Sequence, residues 1–151
     1  MASIKTKIPP PLVALTFGFL VNYSKNIFPK FEIGLGGIFG SFMIIIGLII
    51  ILSAIIQFKK YKTTITPLTP SKATKLMVHG VYKFSRNPMY LGLLIILSGF
   101  SIIQNPIGGL LAVPSFILYI KHFQIIPEEI AMLDLFKDDF LKYKENVRRW
   151  I

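Results

Sequence analysis

The chain contains no cysteine among its 151 residues. Disulfides, a thiolate nucleophile and a cysteine-based zinc site are therefore excluded, while the redox compartment stays open. Histidine is nearly as scarce: His79 and His122 are too few and too far apart to suggest a metal cluster, so no metal is expected. Acidic residues number 7 against 17 lysines and arginines, and 6 of those 7 lie beyond Pro127. The net charge of +10 invites a nucleic-acid reading, but no aromatic-and-glycine RNA-binding signature accompanies it. What is abundant is apolar surface: 53% of residues are hydrophobic, a composition that belongs in a bilayer.

The distribution of charge supports the membrane over nucleic acid. Lys59, Lys60, Lys62, Lys72, Lys75, Lys83 and Arg86 crowd one segment between two apolar runs, with no acidic residue among them. Positive charge in a loop flanked by membrane helices marks the cytoplasmic side and favours anionic headgroups. The expected partners are membrane lipids and a lipophilic ligand, not nucleic acid.

The apolar runs predict an all-α, polytopic membrane domain of about four transmembrane helices, over 12–28, 34–57, 88–103 and 107–121. Lys5 and Lys7 precede the first run, but Asn22, Tyr23 and Lys25 stand where a signal peptide would need a small-residue cleavage site, so this run is expected to be a membrane helix. Lys25, Pro29, Lys30 and Glu32 form the first connection. The second run is uncharged and isoleucine-rich; Gly36 and Gly40 stand four apart in it, which is read as ordinary membrane-helix glycine in preference to a dimer face. Residues 59–86, with Pro67, Pro70 and Gly80, form a loop. Gln104-Asn105-Pro106 turns a helical hairpin. Lys121, His122 and Pro127 mark the exit from the last span, and Ile130, Leu133, Phe136, Phe140, Tyr143, Val147 and Trp150 give 127–149 the period of an amphipathic interfacial helix. Four spans put both termini and the basic loop in the cytoplasm.

The stretch Val78 to Gly92 organises this plan, because a basic loop there becomes a membrane helix. Asn87 is expected to cap that helix, with Pro88 at its first position. The helix N-terminus beside Arg86 offers donors to an anionic group. The same hairpin returns the paired carboxylates Glu128 and Glu129 to the same face. An arginine and a helix N-terminus on one side, with glutamates on the other, suit a zwitterionic ligand. Taken singly, Glu128 and Glu129 are ordinary helix starters, and Tyr82 and Tyr90 ordinary interfacial residues.

Gly80-Val81-Tyr82, Arg86-Asn87-Pro88-Met89-Tyr90 with Gly92, and then Glu128-Glu129, Phe136, Tyr143 and Val147 resemble the integral-membrane methyltransferases of the isoprenylcysteine carboxyl methyltransferase and phospholipid methyltransferase type. Thr63 to Pro67 and Ala73 to Val78 look like the same family's lead-in, so the resemblance runs from about Lys59 onward. It implies S-adenosyl-L-methionine as cofactor, with Met77, Gly80, Tyr82, Asn87, Pro88, Met89, Tyr90 and Glu128 lining its pocket, and Arg86 and Glu129 as the candidates for the chemistry. Asn87 replaces the histidine of eukaryotic members, and Lys121, His122 and Gln124 stand where members often carry an arginine for the substrate. The acceptor is accordingly left open between an isoprenylcysteine-like carboxylate and a phospholipid amine. By analogy such a short chain belongs in a prokaryotic plasma membrane. The competing reading is a non-enzymatic lipid-binding or accessory protein on the same scaffold.

Overall fold

The computed structural model describes residues 8–29, 34–61 and 75–151. The lead-in Thr63 to Pro67, together with Lys5, Lys7, Lys30, Glu32, Lys62, Pro70, Lys72, Ala73 and Thr74, lies outside the described residues. Among those described, every regular element is helical: α1 Pro10–Tyr23, α2 Gly36–Tyr61, α3 Pro88–Gln104, α4 Pro106–Ile120 and α5 Ile126–Asn146. Short 3₁₀ turns cover Ser24–Asn26 and Gly80–Lys83.

The first helix is shorter than expected over 12–28. It begins at Pro10 behind Pro9, and its 14 residues span about 21 Å at 1.5 Å per residue. By contrast α2 runs through Lys59 and Lys60 to Tyr61, past the expected end at Gln57. Lysine is a good helix former and is favoured in a last turn, so charge marked the edge of the apolar run without ending the helix. Among the described residues two helices are long and apolar enough to cross a membrane, α2 and the continuous Pro106–Asn146; α3 is a shorter apolar helix.

The chain stays helical through Lys121 and Pro127, where the exit from the last span is expected. Lys121–Ile125 forms a π-helical turn between α4 and α5, and Pro127 sits in the first turn of α5, where its missing N–H costs little. The expected 127–149 helix ends at Asn146 and is kinked at Lys137 (φ 44°, ψ −116°). Val147 is extended, so Arg148, Arg149 and Trp150 do not continue the helical face.

α2 packs chiefly on α3, and α1 lies against α3 and α4. Two glycine pairs set the α2–α3 contact. A Cβ on Gly40 would sit 2.6 Å from the Gly99 carbonyl oxygen, and one on Gly47 would sit 2.6 Å from that of Gly92. Each pair is seven residues from the next on both helices, so one antiparallel face carries both. Gly40 therefore serves close packing inside the chain, in place of the general role expected for it. Away from that seam α2 leaves Ile38, Phe42, Ile45, Ile49, Leu52 and Ile56 uncovered by protein.

A core of Val13, Tyr90, Leu97, Phe116, Ile120 and Ile125 joins α1, α3, α4 and the π turn, with Phe17 edge-on to Phe116 at 5.8 Å. A second cluster, Ala54, Met77 and Tyr82, fastens the end of α2 to the segment before α3. At the far end of the hairpin Asn105 Oδ1 accepts from the backbone N–H groups of Ile107 and Gly108 and so caps α4.

Candidate functional site

The segment 75–87, the start of α3 and the start of α5 meet at one end of the bundle. Gly80 opens the 3₁₀ turn at φ +60°, and a Cβ there would lie 2.4 Å from the Gln57 side-chain nitrogen of α2. The left-handed backbone is what calls for glycine, since the Gln57 amide is the movable end of a flexible side chain. The turn buries Tyr82 beneath Phe58, whose ring meets it edge-on at 5.6 Å, and leaves His79 stacked on Tyr61. Met77 is buried in the same cluster and Met89 packs against it.

Asn87 occupies the N-cap position of α3, but its side chain makes no cap. Its Nδ2 donates instead to the Arg149 carbonyl oxygen at 2.9 Å, while the Ser85 hydroxyl accepts from the Asn87 backbone N–H at 3.1 Å. The expected capping role is therefore corrected: the side chain is turned so that its amide nitrogen meets the Arg149 carbonyl oxygen, which also accepts from the Ser85 hydroxyl, and its oxygen caps no N–H of α3. Pro88 is buried at the first helical position, as its missing N–H allows.

The two glutamates have different surroundings. Tyr90, buried, donates its hydroxyl to Glu128 Oε1. Burial pushes the Glu128 carboxyl up to about 7, with the neighbouring Glu129 charge adding to the rise and the Tyr90 hydrogen bond opposing it. Burial acts on Glu129 in the same direction, but the hydrogen bond from Arg149 and the charges of Arg86, Arg149 and Lys144 outweigh it and hold that carboxyl below its ordinary value. Arg86 Nη2 donates to Glu129 Oε1 at 2.7 Å, and Arg149 grips both oxygens at 2.9 and 2.7 Å. Glu129 is a pinned anion; Glu128 can gain or lose a proton near neutrality. Sequence spacing could not separate them, because the difference comes from partners distant in the chain.

The Tyr143 hydroxyl donates to the Tyr82 carbonyl oxygen at 2.6 Å and so ties α5 to the 3₁₀ turn. Burial raises both phenols well above their ordinary range. Beside this tie opens a cavity of about 890 Å³ between 75–83 and 136–147. Its walls are the Tyr61–His79 pair, Leu76, Val78, Phe136 and Val147, and its charged residues are Lys75, Lys83, Lys142 and Asp139. Its size lies within the range of small-molecule sites. Tyr61, His79, Tyr143 and the bonding of Arg149 were not singled out from sequence as site features. Tyr143 entered the sequence reading through the helical apolar period of 127–149 and the resemblance, and nothing local marks Arg149.

Of the ten residues expected at the site, Arg86 meets Glu129, Tyr90 meets Glu128, and Met77, Tyr82 and Met89 pack together, with Gly80, Asn87 and Pro88 on the same stretch of chain; none of the ten lines the cavity. His122 is apart and exposed, its ring nitrogen 2.9 Å from the Leu118 carbonyl oxygen. Gln124 is wholly buried and donates to the Ile8 carbonyl oxygen at 2.8 Å.

The model of the phospholipid methyltransferase family matches residues 35–139, spanning α2, the junction and most of α5. The chain belongs to that family. It is 34% identical over 113 residues to protein-S-isoprenylcysteine O-methyltransferase A of Arabidopsis thaliana, a match covering 72% of this chain and 55% of that enzyme. It is also 41% identical over 63 residues to an uncharacterized protein of Haemophilus influenzae, covering 42% of this chain and all of that one. No solved structure matches. Family and relative together point to a membrane-associated methyltransferase.

Proposed function

We propose that the chain transfers the methyl group of S-adenosyl-L-methionine to a lipophilic acceptor at the cytoplasmic membrane face. The observation that carries this is the meeting of 75–90 with the first turn of α5, one hairpin apart in sequence, beside a cavity of suitable size. The cavity offers lysines for a carboxylate and the Tyr61–His79 pair and apolar walls for a flat ring, and Glu128, which stands outside that lining at the adjoining junction, is the carboxylate for an ammonium. In this reading α1 to α4 all cross the bilayer, with 75–87 and α5 on the cytoplasmic side where the lysines gather.

When bound, the cofactor supplies an activated methyl on a sulfonium, so the demands on the protein are alignment and exclusion of water. Arg86, Glu129 and Arg149 form the framework that fixes the first turn of α5 to the start of α3. Tyr90 orients the Glu128 carboxyl. A carboxylate acceptor would react without a base, whereas an ammonium must first lose a proton. An accessory lipid-binding role offers no reason for two carboxylates held in opposite protonation regimes on one helical turn.

The test is incubation of purified protein with methyl-labelled cofactor and a bacterial lipid extract, followed by solvent extraction. Label in the organic phase that base releases as methanol identifies a carboxyl acceptor; base-stable label identifies an amine. Absence of label from every lipid fraction, with folded protein, would refute the reading.

A further inference from the structure

Residues 147–151 run back from the end of α5 across the junction, and the proposed chemistry makes no direct use of them. Val147 turns the chain extended (φ −128°, ψ 129°). From there the Arg148 carbonyl oxygen accepts from the Arg86 backbone N–H at 3.0 Å. The Arg149 carbonyl oxygen accepts from both Asn87 Nδ2 at 2.9 Å and the Ser85 hydroxyl at 3.3 Å. The Arg149 guanidinium is bidentate on Glu129, and Trp150 packs against the core that contains Tyr90. A five-residue segment thus touches the loop, the start of α3 and the first turn of α5 at once.

We propose that Arg149 is a positioning residue: its carbonyl holds the Asn87 amide and its guanidinium holds Glu129, which fixes Glu128 against Tyr90 and sets the affinity for S-adenosylmethionine. The inference rests on the proposed cofactor reading. Geometry separates this role from simple packing. The Arg149 side chain is 33% exposed, whereas that of Arg86, on the same carboxylate, is 8% exposed. Removing Arg149 therefore opens less buried space than removing Arg86 would, yet it strips Glu129 of two of its three charge-assisted hydrogen bonds. The groups facing Glu129 are then Arg86 from the loop, and Lys144 and Glu128 from α5. With its strongest partner gone, the Glu129 carboxyl titrates closer to its ordinary value, so the site weakens first on the acid side.

The experiment is calorimetric binding of S-adenosylmethionine to detergent-purified wild type, Arg149→Ala, Arg149→Lys and Arg148→Ala across the acid-to-neutral range, with a melting curve for each. Arg148 is exposed and enters the network only through its backbone. The expected result is a loss of roughly tenfold or more for Arg149→Ala, because misplacement of a binding group is costly. The loss should grow toward low pH, recover in part in Arg149→Lys, and be absent in Arg148→Ala. Wild-type binding with unchanged affinity in both Arg149 variants would overturn the inference while leaving the cofactor reading intact. A loss of equal size at every pH that tracks a lowered melting temperature would overturn it too, since that is packing alone. Failure of the wild type to bind would remove the cofactor reading and this inference with it.

Discussion

Replacing Glu128 by glutamine should make the protein more stable and less functional at once. The carboxyl rises from 4.5 to about 7 in the folded state. A group whose folded value exceeds its unfolded one contributes stability that is complete below the unfolded value and is lost as pH rises through the folded one. Above about pH 7 the fold therefore carries a buried charge at a cost of about 3 kcal/mol, from 1.36 kcal/mol per unit. Glutamine keeps an acceptor for the Tyr90 hydroxyl and carries no charge. In reversible unfolding in mixed micelles, Glu128→Gln should exceed wild type by up to about 3 kcal/mol near pH 8, and the advantage should vanish near pH 4.5. Cofactor affinity should move the other way. Wild-type affinity should fall about tenfold between pH 8 and pH 6 as the ionised fraction drops, whereas the variant should bind weakly at both. A variant less stable than wild type near pH 8, or one retaining wild-type affinity with its pH dependence, would refute the reasoning.

Other perturbations probe the framework. Gly99→Val should push α2 and α3 apart, because a Cβ there lies 2.5 Å from the Gly40 carbonyl oxygen; a loss of about 1–3 kcal/mol in micellar unfolding is expected. Asn105→Ala removes the cap of α4 and should cost about 1 kcal/mol in the same assay, with cofactor affinity unchanged because the residue lies at the opposite end of the hairpin. Tyr143→Phe leaves the Tyr82 carbonyl without its hydroxyl donor in a buried position, for about 1–3 kcal/mol, and should weaken cofactor binding in parallel by loosening one wall of the cavity.

The helices were legible because apolar runs and proline starts are local signals. Pro88 and Asn105-Pro106 marked the starts of α3 and α4 to within a residue of the structure. Where the match failed, charge or proline had been read as punctuation. Lys59 and Lys60 continue α2, and Pro127 is absorbed after a π turn. The meeting of the Arg-Asn-Pro and Glu-Glu stretches at one face was legible as well, since Arg86 reaches Glu129 and Tyr90 reaches Glu128. The internal assignments of the site were not. Asn87 gives its amide to a carbonyl 62 residues away, and Glu129 is claimed by Arg86 and Arg149, so their roles depend on contacts that no spacing encodes.

The most direct test of the central claim is calorimetry of S-adenosylmethionine, and of its demethylated product, with folded wild-type protein in detergent and in lipid. Saturable binding that is lost in Asn87→Ala and in Glu128→Ala, with both variants still folded, is the predicted result. Absence of binding in both environments, or binding unaffected by either substitution, would contradict the account.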